Sequence, residues 1–467
     1  MAFFYTLSNR LPTYDMGDYS PHGIPNKVNY KPSSQETKKF LDVEVYENIK
    51  IVNFEPEEKF LAYFTHSGYH NQRIALENAL LLSKLLNRTL LMPPALLGPP
   101  IPWVRFDKMY ERLFLSTKNG LDHCIEIPKE YPLPAECLDY YTYTSVSWDF
   151  LLDMKPIRQW NKIIDRIDHS FEWLESNLVE ELNRIDNKVI HLGSLFGSYR
   201  VTPELPTSEK NMKFIRHHLV PHNSFIQKAA ERVVEQLGGE HNFIGLHIRV
   251  SDGFFMKTAR KNIDLMYHTI INKYTNLTPE EVDKLEGGTH DQDILDDDSV
   301  DLGDENPYNK MTNITKRGGN QMVGSGGFNR KRAYMPELSN KINGFSNKVN
   351  CKSSLHPTDQ GVNTVIFIAT DAASPRNNPL LFKFFNTFPC VFVLDDFGQD
   401  LIDIKYVRNA QDKTPLAKYL IPMLDSMISA KGFQFIGTPK STFSKYIETT
   451  LFPIYAGKEL EIRITTT

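Results

Sequence analysis

The stretch FIGLHIRVSDGFF, residues 243–255, decides the fold. Four apolar residues lead into His247, with Arg249 two positions on and Asp252 three beyond that. The run reads as a buried strand that ends in two bases and an acid. In open α/β sheets, ligands bind at the C-terminal ends of the strands, so the pattern marks an anion site. Arg249 is the best single candidate, because a guanidinium is permanently charged and forks two donors onto phosphate oxygens. His247, on the same strand face, can hydrogen-bond the same phosphates, and Asp252 can orient Arg249 or hold a sugar hydroxyl. A structural arginine–aspartate pair at a strand end fits this spacing at least as well.

Working outward, the same alternation of apolar strand and amphipathic helix recurs. FLAYFT (60–65) has strand character and is followed by the turn HSGYHNQ. RIALENALLLSKLLN then places Ile74, Leu76, Ala79, Leu80, Leu82, Leu85 and Leu86 on a broad apolar helix surface. RTLLMPP is the next strand, stopped by Pro93 and Pro94, which completes a β-α-β unit of a parallel sheet. Residues 98–187 are mixed and aromatic-rich, with helices predicted at 149–166 and 171–184. KVIHLGSLFGS (188–198) is another strand, and a helix over about 211–237 stops at Gly238-Gly239. Beyond residue 360, TVIFIATD, CVFVLDD and FQFIGT are strands, while NPLLFKFFNTF, LAKYLIPMLDSMISAKG and STFSKYIETTLF are helices.

The chain therefore reads as α/β, with two doubly wound parallel-sheet units. The expected organisation is an N-terminal arm (1–57), a first unit (58–225), a second unit (226–455) and a tail (456–467). An insertion at about 275–350 interrupts the second unit. There, DQDILDDDSVDLGDE carries eight acidic residues and no base, and a glycine-rich basic stretch follows; such a segment lacks the apolar residues to bury itself. Its Asp-x-Asp triplets read as a solvated charge run rather than a metal site. Its GSGG (324–327) has no strand before it, so it is not a phosphate loop.

Composition narrows the function. With 467 residues, two domains are the default. A formal net charge of −4 gives no electrostatic reason to expect nucleic acid or an anionic membrane as partner. No apolar run is long enough for a membrane span, and the first 20 residues lack a basic stretch before an apolar core, so no targeting signal is visible. Cys124, Cys137, Cys351 and Cys390 show no CxxC spacing, which argues against zinc and thioredoxin-type chemistry; two disulfides and four buried thiols fit equally. Sequons stand at Asn87, Asn276 and Asn313. No GxSxG, HExxH or GKS/GKT motif is present.

Two further clusters complete the candidate set. FIGTPKSTFS (435–444) would aim backbone N–H groups and the hydroxyls of Ser441 and Thr442 at an anion, with Phe443 supporting a planar base. An ordinary helix cap with Phe443 in the core is the simpler reading. HSGYHNQR (66–73) has Gly68 for a tight turn and Asn71, Gln72 and Arg73 as donors; a plain polar loop fits it too. Asp371, closing TVIFIATD, lies on the same predicted rim.

Taken in order, GYHNQR with LLNRTLLMPP, then GLHIRVSD, VIFIATDAA and LDSMISAKGFQFIGTPKSTFS, the chain resembles the GDP-fucose protein O-fucosyltransferase family over about residues 58–455, the insertion apart. The resemblance implies a GT-B fold, two Rossmann-like domains facing across a cleft. It implies inverting transfer of fucose from GDP-fucose to a protein Ser/Thr hydroxyl, with no metal and no other cofactor. A glycan acceptor on the same fold and an inactive nucleotide-sugar-binding protein are the alternatives. By motif, Arg249 would neutralise the pyrophosphate, His247 would bind the nucleotide-sugar, and Ser441, Thr442 and Phe443 would hold the phosphates and guanosine. Asp371 would line the GDP pocket, Gly68 and Asp252 would contact the donor, and Asn71 would lie near the reacting centre. Some family members carry a Glu just before the first motif's glycine. Here that residue is Ser67, which leaves the base open: His70 substitutes for it, or serves a structural or substrate-contacting role. The resemblance also implies the endoplasmic reticulum or Golgi lumen, and with it paired, oxidised cysteines.

Overall fold

The computed structural model describes residues 40–46, 57–128, 131–166, 188–196, 206–251, 253–285, 351 and 362–462. Asp252, Asn313, the predicted helix at 171–184, and the acidic and glycine-rich stretches of the insertion lie outside them.

Within the expected arm, the strand β1 (Leu41–Val43) pairs in parallel with β11 (Val407–Asn409), and Asp42 forms ion pairs with Arg408 and Lys413. The first unit is built on β2 (Phe60–Tyr63), β3 (Thr89–Met92), β6 (Ile163–Asp165) and β7 (Val189–Leu192). They form one parallel sheet in the order β6-β3-β2-β7. Between β3 and β6, β4 (Ala95–Leu97) and β5 (Thr144–Val146) form an antiparallel pair.

The helix Tyr69–Leu85 joins β2 to β3. Its first turns are covered on several sides, by the sheet, by the helix Pro206–His218 and by the helix Thr442–Tyr446. Gln72, Arg73, Glu77 and Asn78 are therefore buried with the apolar stripe, while Leu85 and Leu86, past this cover, are each 47% exposed.

Two predicted helices differ in the structure. The one expected over 149–166 is two short helices, Trp148–Leu151 and Lys155–Trp160, followed by β6. Pro156 has no N–H to continue a helix but suits a first turn, so the chain restarts there. The one expected over 211–237 breaks around Pro221 into Pro206–His218 and Ser224–Gln236. Asn223 caps the second by accepting from the N–H groups of Phe225 and Ile226. The first of these helices packs on Tyr69–Leu85 and the second on Ala417–Ala430, so the break passes the chain from one sheet's helices to the other's.

The second sheet contains β8 (Ile244–Ile248), β9 (Ile366–Thr370), β10 (Val391–Val393) and β12 (Gln434–Gly437), all parallel in the order β10-β9-β8-β12. β8 is buried throughout, as a strand covered by helices on both faces must be. Against it packs Ala417–Ala430, so closely that a Cβ on Gly245 would stand 2.0 Å from the Ser429 carbonyl oxygen. The chain is α/β with two Rossmann-like parallel sheets, the GT-B plan, and both sheets belong to one compact unit.

A second unit spans Leu277–Asn347. Where an insertion without structure is expected from about 275, a helix, Pro279–Leu285, forms first. Thr278 and Glu281 cap it reciprocally through N–H and side-chain bonds. All four cysteines are paired, Cys124 with Cys137 and Cys351 with Cys390. Among the described residues no helix is long and apolar enough to cross a membrane.

The close approach at Gly245 gives a stability prediction. Gly245→Ala should lower the urea midpoint by the equivalent of about 1–3 kcal/mol or more, because backbone rather than a yielding side chain stands in the way. Gly68→Ala is the control: a Cβ there meets nothing within 4 Å, and its midpoint should match the wild type.

Candidate active site

The strand order brings three of the sequence clusters together. β12, β8 and β9 are neighbours, so their C-terminal ends, carrying Thr438, His247 with Arg249, and Asp371, form one rim. Thr438 fastens it: its hydroxyl donates to the His247 carbonyl at 2.8 Å and accepts from the Arg249 N–H at 3.0 Å. His247 Nδ1 and Ser444 Oγ lie 2.6 Å apart, and the imidazole stacks on Phe443 with centroids 4.2 Å apart. Ser441 caps the helix by accepting from the Ser444 N–H. Thr442 and Phe443 are half-buried at its start. The approach of this helix to its strand requires a glycine, since a Cβ on Gly437 would lie 2.6 Å from that of Ser444.

Asp371 accepts from Val250 N–H at 2.7 Å and from Ser251 N–H at 3.4 Å, so its carboxylate holds the loop after β8. Its nearer approach to Arg249 Nε is 3.9 Å, beyond hydrogen-bond reach. The Arg249 guanidinium lies 4.4 Å over the Phe255 ring, with the side chain 29% exposed.

Opposite this rim stands the start of Tyr69–Leu85. His70 meets Phe443 edge-on at 4.7 Å and Tyr446 at 5.2 Å, so the row His70–Phe443–His247 runs from the helix after β2 to the end of β8. Both ring nitrogens of His70, and Asn71 Oδ1, are buried without a hydrogen-bond partner among the described residues. The turn before them differs from expectation. Its left-handed residue is Ser67 (φ 66°), while Gly68 is extended (φ −78°, ψ 169°). Ser67 is held there by its N–H to the Ile101 carbonyl and by its carbonyl accepting from Gln72 Nε2.

With this geometry in view, the comparison with known families is decisive. A family model described as GDP-fucose protein O-fucosyltransferase matches residues 60–450. The chain belongs to that family. O-fucosyltransferase 30 of Arabidopsis thaliana is similar over a short stretch: 54% identity over 39 residues, 8% of this chain and 8% of that protein. Among solved structures, POFUT1 bound to GDP-fucose is similar at 10% identity and a TM-score of 0.33, over 87% of this chain and 98% of that one. The NodZ alpha-1,6-fucosyltransferase co-crystallized with GDP is similar at 13% identity and a TM-score of 0.31, over 84% and 92%. The fold assignment stands on the strand orders, not on these loose superpositions.

In this O-fucosyltransferase family member, sequence reasoning missed an ion cluster beneath the site. Arg73 forms an ion pair with Glu77, Glu77 also binds Arg216 Nε at 3.0 Å, and the Arg73 guanidinium sits 3.8 Å over the Tyr446 ring. Tyr446 in turn donates to the Leu219 carbonyl. The only signal available was an i, i+4 Arg–Glu pair, which ordinarily marks a solvated helix face. His66 was likewise undervalued: it is buried, with Nε2 2.7 Å from Ser194 Oγ and its ring 5.3 Å from that of Trp103.

Burial sets the protonation of the site. Desolvation, with the Arg249 charge beside it, pushes the His247 pKa down to about 3. His70 is held well below its ordinary value by burial, then by Arg73, His247 and Arg249. Both rings are neutral when folded but bind protons when unfolded below about pH 6.5, so the unfolded state binds more protons there. Stability is full above about 6.5 and falls as pH drops toward the folded value. The urea midpoint should decline steadily from pH 6.5 to 4, and His247→Gln should flatten that decline.

Proposed function

We propose that this chain transfers fucose from GDP-fucose to a hydroxyl of a protein Ser/Thr acceptor, with inversion and without a metal ion. The observation that carries the reading is the meeting of Arg249, His247, Phe443 and Ser444 on one strand-end rim, directly opposite His70. As the glycosidic bond breaks, negative charge grows on the pyrophosphate, and a positioned guanidinium stabilises it in place of a metal. Thr438 and Asp371 fix the backbone on either side of Arg249, so the charge is presented by a rigid element. Phe443 and His247 offer a stacked surface beside it for the donor, with Ser441, Thr442 and Gly68 at its margins.

His70 and Asn71 face the acceptor hydroxyl in this reading. The neutral imidazole is available to take a proton but is only a weak base. That suffices where bond cleavage runs ahead of nucleophilic attack, because the acceptor hydroxyl becomes acidic late. Both disulfides suit an oxidising compartment, in keeping with the endoplasmic reticulum or Golgi lumen. Four free thiols on the native cellular protein would count against that location.

A glycan acceptor is the second reading, favoured by Trp103. Its ring is 38% exposed and lies beside His66 next to the Ser67 turn, an aromatic face on which a sugar ring can stack. The test is GDP release from GDP-fucose in EDTA with panels of peptide and glycan acceptors, followed by product mass. Release that depends on an acceptor supports transfer, and the productive panel chooses between the two readings. GDP binding without turnover on any acceptor points to an inactive nucleotide-sugar-binding protein.

A further inference from the structure

We propose that Asn87 carries an N-linked glycan, and that this glycan covers the apolar end of the helix Tyr69–Leu85. Asn87-Arg88-Thr89 is an acceptor triplet for N-glycosylation, Asn-x-Thr with no proline between. The proposal rests on the lumenal location proposed above, because the sugar is attached in a secretory lumen.

The fold presents the asparagine on a helix stop. Asn87 N–H donates to the Lys84 carbonyl at 3.3 Å, and Arg88 N–H donates to the Ser83 carbonyl at 2.8 Å. These are the paired bonds that end a helix on a left-handed residue. Asn87 is that residue (φ 49°), and it is exposed. Glycine and asparagine both suit such a backbone, but only asparagine offers a side-chain nitrogen to a sugar. Immediately before it stand Leu85 and Leu86, each 47% exposed. Two adjacent leucines left in water are unfavourable. A glycan on the next residue is tethered within reach of both, and the apolar face of its first sugar ring can cover them.

Thr89 fixes the order of events. It opens β3, is 4% exposed, donates its hydroxyl to Glu58 and gives its N–H to the Lys59 carbonyl at 2.8 Å. A transferase that must grip this threonine cannot reach it in the folded sheet. The glycan is therefore added before β3 pairs with β2, and the exposed turn lets the folded protein keep it. The donor is an oligosaccharide linked to a lipid pyrophosphate through C1 of N-acetylglucosamine. The C1–O bond breaks with its electron pair on the pyrophosphate, the bond from Asn87 Nδ2 to C1 forms, and Nδ2 gives up one proton.

The test is peptide mapping of the full chain isolated from the cells that make it. The glycans are released in heavy-oxygen water by an amidase that turns a glycan-bearing asparagine into aspartate, and free thiols are counted on the same sample. Heavy-oxygen aspartate at residue 87 is expected, with no free thiol. Asn276 is exposed and, like Asn313, lies in a sequon, so the readout is the peptide that holds residue 87. Unmodified Asn87 on a chain whose cysteines are paired overturns the proposal at the site itself. Unmodified Asn87 with four free thiols overturns it through the location instead. Asn87→Gly tests the covering role, since glycine suits the left-handed turn and the variant loses one glycan. With its unfolding curve unchanged, it should self-associate more than the wild type in sedimentation velocity. Leu85→Ser/Leu86→Ser in the same background should abolish that difference. An Asn87→Gly chain that sediments as the wild type does would contradict the covering.

Discussion

Alanine in place of Arg249 is expected to lower kcat/KM for fucose transfer by about 100- to 1000-fold, the cost of removing one well-placed stabiliser of developing negative charge. The urea midpoint should hardly move. The backbone N–H of residue 249, which bonds Thr438, survives the substitution. The lost side chain is 29% exposed, and its Nε stands 3.9 Å from the Asp371 carboxylate. Arg249→Lys separates charge from geometry: it keeps the cation and loses the two-pronged donor, so it should recover only part of the rate. Initial rates at saturating acceptor, with the unfolding curve of each variant, check both statements. A full rate in the alanine variant would mean that the pyrophosphate is neutralised by another group.

The second large effect concerns stability. Glu77→Gln should cost about 3–5 kcal/mol, because it leaves Arg73 buried without its counter-charge. The Glu77 side chain is 2% exposed and lies between Arg73 and Arg216. Burial alone would raise its pKa, but the two guanidinium groups together outweigh that and hold the carboxyl below its ordinary value. A depressed carboxylate stabilises the fold above its unfolded pKa, and that contribution disappears as pH falls through the folded value. The loss in Glu77→Gln should therefore be greatest near neutral pH and shrink in acid. Arg73→Met/Glu77→Leu, which removes the pair together, should be milder than either single change. Urea midpoints across pH separate these outcomes. A neutral Glu77→Gln would show that the cluster does not join the Tyr69–Leu85, Pro206–His218 and Thr442–Tyr446 helices energetically.

The sheets were legible because strands covered on both faces must be continuous apolar runs, and FLAYFT, FIGLHIRV and TVIFIATD each end in a polar cluster at the rim. The helix breaks were less so. Pro156 and Pro221 each stand inside a stretch whose apolar spacing continues past them, and tertiary packing, not periodicity, decides where such a chain restarts. β1 is three residues with an exposed, patternless sequence, and only its partner β11 gives it form. At the site, His247, Arg249 and Phe443 were found by strand-end position. Glu77 and Thr438 were not, and Arg73 was read as a loop donor rather than as Glu77's buried partner, since charged or hydroxyl residues buried by a distant segment look like surface residues in one dimension. Likewise Gly68 drew the eye, although the backbone demand falls on Ser67.

The most direct test of the account is calorimetric titration of GDP, in EDTA, into the wild type and Arg249→Ala. The account predicts micromolar binding by the wild type and binding weakened about 100-fold or more in the variant, whose unfolding curve is unchanged. A folded wild type that takes up no GDP, or a variant that binds as well as the wild type, would contradict it.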